Sequence, residues 1–313
     1  MAPVAELGLG GWQFAGTFGF WDGQTREDSI RTVHAALRGG IRHFDTAQSY
    51  GNGRSEQLVG QQLRRFQEEF PRGTLTIATK LMPMPPVRIR KAVETSLRRL
   101  CTPYLDILYL HWPDSHCDVL PILEAMRTLQ TDGLVRQIGV SNFPPDLLER
   151  TCDRFPLDWV QCAGSLLWTR NLARTLDVCR QRSVRTALYS PLGMGLLSGR
   201  YRTAADLPEK DARRNLFCFQ EDCRASWNEL LDLLRACAER MGCTPAQIAL
   251  AWALTQDVSV VVGGARNKSQ LAQNLATTTL EFPQEMLEEL SVAARTLEQT
   301  IPRQQDNIFG HAW

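Results

Sequence analysis

Short apolar runs alternate with amphipathic segments of helical length almost from end to end of the 313-residue chain, and that alternation limits the fold more than any other feature. The runs lack the strict polar–apolar alternation of a strand with one wet face, the pattern expected of parallel strands covered by helices. Strand patterns fall at residues 7–12, 41–46, 75–80, 106–112, 135–141, 158–164, 185–190 and 258–263. Helix patterns fall between them, as at 29–38, 55–66, 87–100 and 268–276. Two more, at 226–241 and 245–254, follow a long irregular stretch, and 283–297 reads as an added terminal helix. Connections of this length require right-handed crossovers between parallel strands. Eight such units predict one α/β domain over residues 1–313, a closed parallel (β/α)8 TIM barrel with an added C-terminal helix. The competitor, a doubly wound sheet, needs a glycine-rich turn that opens a helix directly after an early strand. Gly8, Gly10 and Gly11 do not supply one, because the next helix pattern starts well downstream. Residues 200–225 are too internal and too polar for a domain boundary and read as a mouth loop.

Composition removes several classes of function. At 43% apolar and 22% charged residues, the chain is neither disordered nor fibrous. Thirty-five Lys and Arg against 34 Asp and Glu leave a net charge of +1, which supplies no global field for nucleic acid or an anionic membrane. The nine cysteines are odd in number, scattered, and without a repeated zinc-ligand spacing, so they read as free thiols in a reducing compartment. The first residues lack the basic region and apolar run of a signal peptide, and no stretch approaches the ~18 apolar residues of a spanning helix. The expectation is a cytoplasmic protein with no nucleic-acid or membrane partner and no metal, its oligomeric state left open.

Polar residues at the carboxyl ends of barrel strands face the working mouth. Asp45 ends IRHFD, Lys80 ends LTIATK and His111 ends DILYLH, three consecutive strand patterns and hence neighbours around one rim. Alternation puts His43 and Asp45 on one face and Phe44 and Thr46 on the other. Tyr50 follows in the loop AQSYGNGRSE, within reach of the mouth. An anion, an ammonium, a phenol and an imidazole near one point suit protonation of a carbonyl oxygen. On this reading Asp45 compensates a buried Lys80, Lys80 lowers the Tyr50 phenol pKa, and His111 orients the substrate oxygen. The set has no nucleophile and base in order for hydrolysis, and too few carboxylates for a two-metal centre.

These strings resemble the aldo-keto reductase superfamily over essentially the whole chain. FDTAQSYGNGRSEQLVG resembles the segment that carries the catalytic Asp and Tyr, IATK the lysine and LYLHWPD the histidine, here Asp45, Tyr50, Lys80 and His111. The resemblance implies reduction of a small aldehyde or ketone by NADPH, returning NADP+, with the proton from Tyr50. It implies that Ser141 and Asn142 of IGVSN, with Gln161, contact the nicotinamide carboxamide and that Tyr189 stacks on the ring. Ser190, Leu192 and Arg200 match positions at the phosphates, and Gly264, Arg266, Gln270 and Asn274 of GGARNKSQLAQN match the adenosine-phosphate segment. Arg266 is the residue expected to favour NADPH over NADH. Two departures stand out: Gly263 precedes Gly264 where many relatives have Pro, and Gln273 precedes Asn274 where Glu is common. Trp12, Phe20 and Trp112 are candidate substrate-mouth residues. The alternative reading is a nicotinamide-binding partner or regulatory subunit with little turnover.

Overall fold

In a computed structural model, residues 5–16, 23–114 and 118–301 are described. Eight strands close one parallel barrel in sequence order, from β1 (Glu6–Gly10), β2 (His43–Asp45), β3 (Thr76–Leu81) and β4 (Leu105–Leu110) to β5 (Val135–Ser141), β6 (Trp159–Ala163), β7 (Arg185–Tyr189) and β8 (Val260–Gly263). Closure is made by β1 against β8, with Leu7 opposite Val261 and Leu9 opposite Gly263. The expected (β/α)8 architecture is therefore present.

Helices α1 (Arg26–Arg38), α2 (Arg54–Arg65), α3 (Pro86–Leu100), α4 (Leu120–Thr131), α5 (Pro145–Arg154) and α6 (Leu172–Gln181) surround the sheet. They are followed by α7 (Glu221–Met241), α8 (Pro245–Leu254), α9 (Lys268–Thr277) and the terminal α10 (Gln284–Thr300). Their starts are chemically marked. Thr25 accepts from the Asp28 amide at 3.0 Å, Asn267 accepts from the Gln270 amide at 3.0 Å, and Thr244 with Gln247 forms a reciprocal capping box. Helix α7 begins well before residue 226, because Cys223, Trp227, Leu230, Leu231 and Leu234 already form one buried stripe.

Alternation along the strands separates two cores. Outward residues such as Leu9, Phe44, Ile77, Leu108, Ile138 and Leu188 join the helices in the main apolar layer. Inward residues Ala78, Ile107, Tyr109, Trp159, Ala187 and Val260 form a separate plug that fills the barrel. Gly139 leaves the space that Tyr109 occupies, since a Cβ there would stand 2.6 Å from the Tyr109 ring. With its lower half filled, the barrel leaves its carboxyl-end mouth as the place where polar side chains can face a ligand.

Candidate active site

Asp45 is the last residue of β2 and Lys80 the last but one of β3, so both side chains point inward at the mouth. Both are almost fully buried, at 4% and 1% exposure, and they form a close ion pair. Lys80 Nζ also donates to the Thr46 carbonyl at 2.9 Å and to Tyr50 Oη at 3.4 Å, and it lies 5.0 Å from the centroid of the Tyr50 ring. Tyr50 is brought there by the turn before α2. The Tyr50 amide donates to the Ala47 carbonyl, Gln48 Nε2 ties the same turn to Ser96 Oγ at 2.9 Å, and the Ser55 amide donates to the Tyr50 carbonyl. His111 follows β4 directly, with its ring edge-on to Tyr50 at 5.7 Å between centroids.

Burial dominates the electrostatics. It pushes the Lys80 ammonium pKa down, against the opposing pull of Asp45, and it pushes His111 well below the ordinary imidazole value, with Lys80 adding to that effect. The Tyr50 phenol departs from the expectation of a lowered pKa. Desolvation raises it well above the usual phenol value, and the Asp45 charge raises it further. Burial of the phenol outweighs the nearby ammonium, which is itself paired with Asp45. Near neutral pH the site holds a protonated phenol and a neutral imidazole.

Apart from Lys80, which is buried and lines neither, the expected residues that are described come together in two cavities that share Trp12, Tyr50 and Tyr189. One, of about 210 Å3, is the mouth itself, where His111 and Trp112 face Ser141, Asn142 and Gln161. The other is a trench of about 240 Å3 that runs past Ser190, Leu192 and Arg200 to Gly264, Arg266, Gln270 and Asn274. Phe20 lies outside the described residues. Asn142 and Ser190 both adopt left-handed backbone, φ 63° and 55°, a strained state for serine that the mouth loops impose. Asn142 Nδ2 donates to the His111 carbonyl at 2.9 Å, and its Oδ1 accepts from the Tyr189 hydroxyl. Gln161 Nε2 donates to Asp45 Oδ2 at 2.7 Å, so this residue also supports the ion pair.

Several neighbours were not anticipated. Ser49 Oγ lies 3.3 Å from His111 Nδ1 in the mouth; with the hydroxyl as donor, the imidazole carries its hydrogen on Nε2. Gln13 Nε2 donates to the Gly10 and Ala265 carbonyls at 2.7 and 3.1 Å, which joins the first strand to the last loop across the trench. Arg213 is clasped by Asp211 and donates to the Met194 carbonyl at 2.8 Å, so part of the 200–225 segment lines the trench. Phe217 and Phe219 are different: from sequence alone they could either contact substrate or hold the 200–225 loop closed, and the packing favours the second, with Phe217 buried edge-on to Trp168 and Phe219 against Trp227. Sequence position carried a signal for Ser49, adjacent to Tyr50, and for Arg213, Phe217 and Phe219, which lie in the expected 200–225 mouth loop, but none for Gln13. Among the described residues no cluster of His, Cys, Asp and Glu could hold a metal ion.

The sequence profile of the Aldo/keto reductase family matches residues 6–294. This chain belongs to the aldo/keto reductase family. A relative described as an NADH-specific methylglyoxal reductase, from Escherichia coli (strain K12), is 30% identical over 304 residues, covering 89% of this chain and 91% of its own length. The solved glycerol dehydrogenase AKR11B4 from Gluconobacter oxydans is 28% identical with a TM-score of 0.78, over 98% of this chain and 94% of that one. An aldo/keto reductase from Klebsiella pneumoniae, solved in complex with NADP and acetate, is 26% identical with a TM-score of 0.71, over 97% and 94%. Like these aldo/keto reductases, the chain is an oxidoreductase by family. No described helix is long and apolar enough to cross a membrane.

Proposed function

We propose that this aldo/keto reductase reduces a small aldehyde or ketone to the alcohol with NADPH, and that Tyr50 delivers the proton. The observation that carries the reading is the Asp45–Lys80–Tyr50 chain of contacts, with His111 opening on the same cavity. A bound reduced nicotinamide supplies the hydride. His111, neutral because of its burial, donates from Nε2 to the carbonyl oxygen and orients it. As negative charge grows on that oxygen, the Tyr50 hydroxyl transfers its proton; the developing alkoxide is a stronger base than the phenolate left behind. Lys80 stabilises that phenolate when it forms, and Asp45, held by Gln161, keeps Lys80 aimed at it. Trp12, stacked near Tyr50 at 6.2 Å, and Trp112 provide apolar walls for a small substrate.

Support for the cofactor comes from the order of donors along the connected cavities. Neutral amides at Asn142 and Gln161 suit a carboxamide, the aromatic Tyr189 suits a flat ring, and Arg200 and Arg266 suit phosphates. The far end of the trench lies at the start of α9, where backbone amides favour an anion. Gln270 and Asn274 hold the loop, through the Arg266 amide at 2.9 Å and the Gly264 carbonyl at 3.1 Å. Arg266 is assigned to the adenosine 2′-phosphate, which NADH lacks. A cytoplasmic location belongs to the same reading and is supported by the eight described cysteines, all free.

A panel of short aliphatic, aromatic and sugar aldehydes with NADPH and NADH tests the proposal. Carbonyl-dependent oxidation, faster with NADPH at subsaturating cofactor, is expected. Cofactor binding by folded protein without turnover on any carbonyl would favour a binding subunit.

A further inference from the structure

The segment between β1 and α1 contributes a side chain that neither the fold nor the expected site uses. Gln24 precedes Thr25, the N-cap of α1, yet its carboxamide reaches across the chain to the loop after β8. Gln24 Nε2 donates to the Arg266 carbonyl at 2.9 Å and to Ser29 Oγ at 3.0 Å, while Gln24 Oε1 accepts from Arg266 Nε at 3.2 Å. The two ends of one amide thus grip the backbone and the guanidinium of the same arginine. The amide's orientation follows from the donors: turned over, it would set NH2 against Nε–H and oxygen against a carbonyl. Gly23, at φ 77°, takes the left-handed backbone that glycine adopts without strain and lies beside the Arg266 guanidinium.

We propose that Gln24 is a specificity-determining positioning residue, which holds the Arg266 guanidinium in the orientation that receives the 2′-phosphate of NADPH. The inference rests on the assignment of Arg266 given above. An arginine side chain is rich in rotamers, and a ligand that captures it unheld must order it on binding. Gln24 completes part of that ordering beforehand and so strengthens binding of the cofactor that uses the guanidinium. It also does so as a neutral group: an amide oxygen occupies the Nε edge without cancelling the charge. The contrast within the molecule is Arg213, where Nε and Nη2 are both taken by the Asp211 carboxylate, at 2.9 and 2.6 Å, and the pair secures a loop.

The test is a set of dissociation constants for NADPH and NADH at matched ionic strength, read from quenching of tryptophan fluorescence. The proteins are the parent, Gln24→Ala, Gln24→Glu, Arg266→Ala and the Gln24→Ala/Arg266→Ala double variant, with thermal midpoints confirming that each is folded. Gln24→Ala is expected to weaken NADPH by about 3–10-fold, the scale of one lost ordering contact, and to leave NADH within about twofold. Gln24→Glu should weaken NADPH further, because its carboxylate pairs with the guanidinium and repels the phosphate. In the Arg266→Ala background, Gln24→Ala should change neither cofactor, since the group it positions is gone. Equal weakening of both cofactors, an unchanged NADPH constant, or a full additional loss in the double variant would overturn the role of Gln24 while leaving Arg266 in place. If Arg266→Ala itself shifts neither constant, the 2′-phosphate assignment fails and this inference fails with it.

Discussion

The two ends of the barrel each carry a cluster of an aspartate, basic side chains and a tyrosine, and the two clusters do different things. At the base, Asp106 near the start of β4 accepts from Arg72 Nη2 at 2.6 Å, from Arg136 Nη1 at 3.2 Å and from the Ile77 amide at 2.9 Å. Both guanidiniums lie over the Tyr104 ring, at 3.9 and 3.8 Å. These groups join the starts of β3, β4 and β5 and remain partly wet, with 53% of the Arg136 side chain exposed. At the mouth, Asp45 and Lys80 are dry, and their neighbours Tyr50 and His111 border a cavity. The difference teaches that charge at a strand end carries no function by itself. The base cluster's donors are consumed by strand termini and a ring; the mouth cluster leaves a phenol and an imidazole facing space that a substrate can enter.

The comparison breaks most visibly at Lys80. Lys80→Met should slow hydride transfer by about 100- to 10,000-fold and also destabilise the fold by roughly 3–5 kcal/mol, because Asp45 is left as an uncompensated buried charge. Adding Asp45→Asn should restore much of the stability and none of the activity, as measured by urea unfolding and single-turnover rates.

Inside the barrel, between the two clusters, His43 sharpens the contrast. Burial pulls its pKa from 6.5 to about 4, and Nε2 has no hydrogen-bond partner among the described residues. The native state therefore binds fewer protons than the unfolded chain as pH falls from 6.5 towards 4, so stability is highest above that window and declines through it. The decline should reach about 3 kcal/mol for His43 alone, with the lowered His111 adding to it. Urea unfolding across pH 7 to 4 measures the slope, and an assigned His43 imidazole resonance that titrates near 6.5 in the native protein would contradict this account.

The base should respond least. Asp106→Asn is expected to cost about 1–3 kcal/mol of stability and to leave single-turnover rates at 25 °C within about twofold. A large rate loss with unchanged stability would erase the distinction between the two ends.

How much of this could be read beforehand follows the same division. Strands β1–β8 and the inward placement of Asp45, Lys80 and His111 were legible, because alternation and strand-end position are local properties of the sequence. The trench residues came from resemblance, since Ser190 or Gln270 alone has no distinguishing pattern. Gln24 and Gln13 were not legible at all: their partners stand 242 and 252 residues away, and only barrel closure brings them together. The direction of the Tyr50 pKa was not legible, because sequence showed that a lysine is near the phenol but not how completely the phenol is buried, nor that Asp45 adds to the effect of burial. The start of α7 was missed although Cys223 and Trp227, four residues apart, already carried its apolar stripe.

The central claim is that the mouth cluster protonates a carbonyl oxygen through Tyr50, and the most direct test is the single-turnover rate of Tyr50→Phe at saturating NADPH. The ring and its packing against Trp12 are retained, so the cofactor's dissociation constant should stay within about twofold. Loss of the proton donor should lower the hydride-transfer rate by about 100- to 10,000-fold. A rate within a few-fold of the parent, with the same cofactor affinity, would contradict the assignment of Tyr50 as the acid.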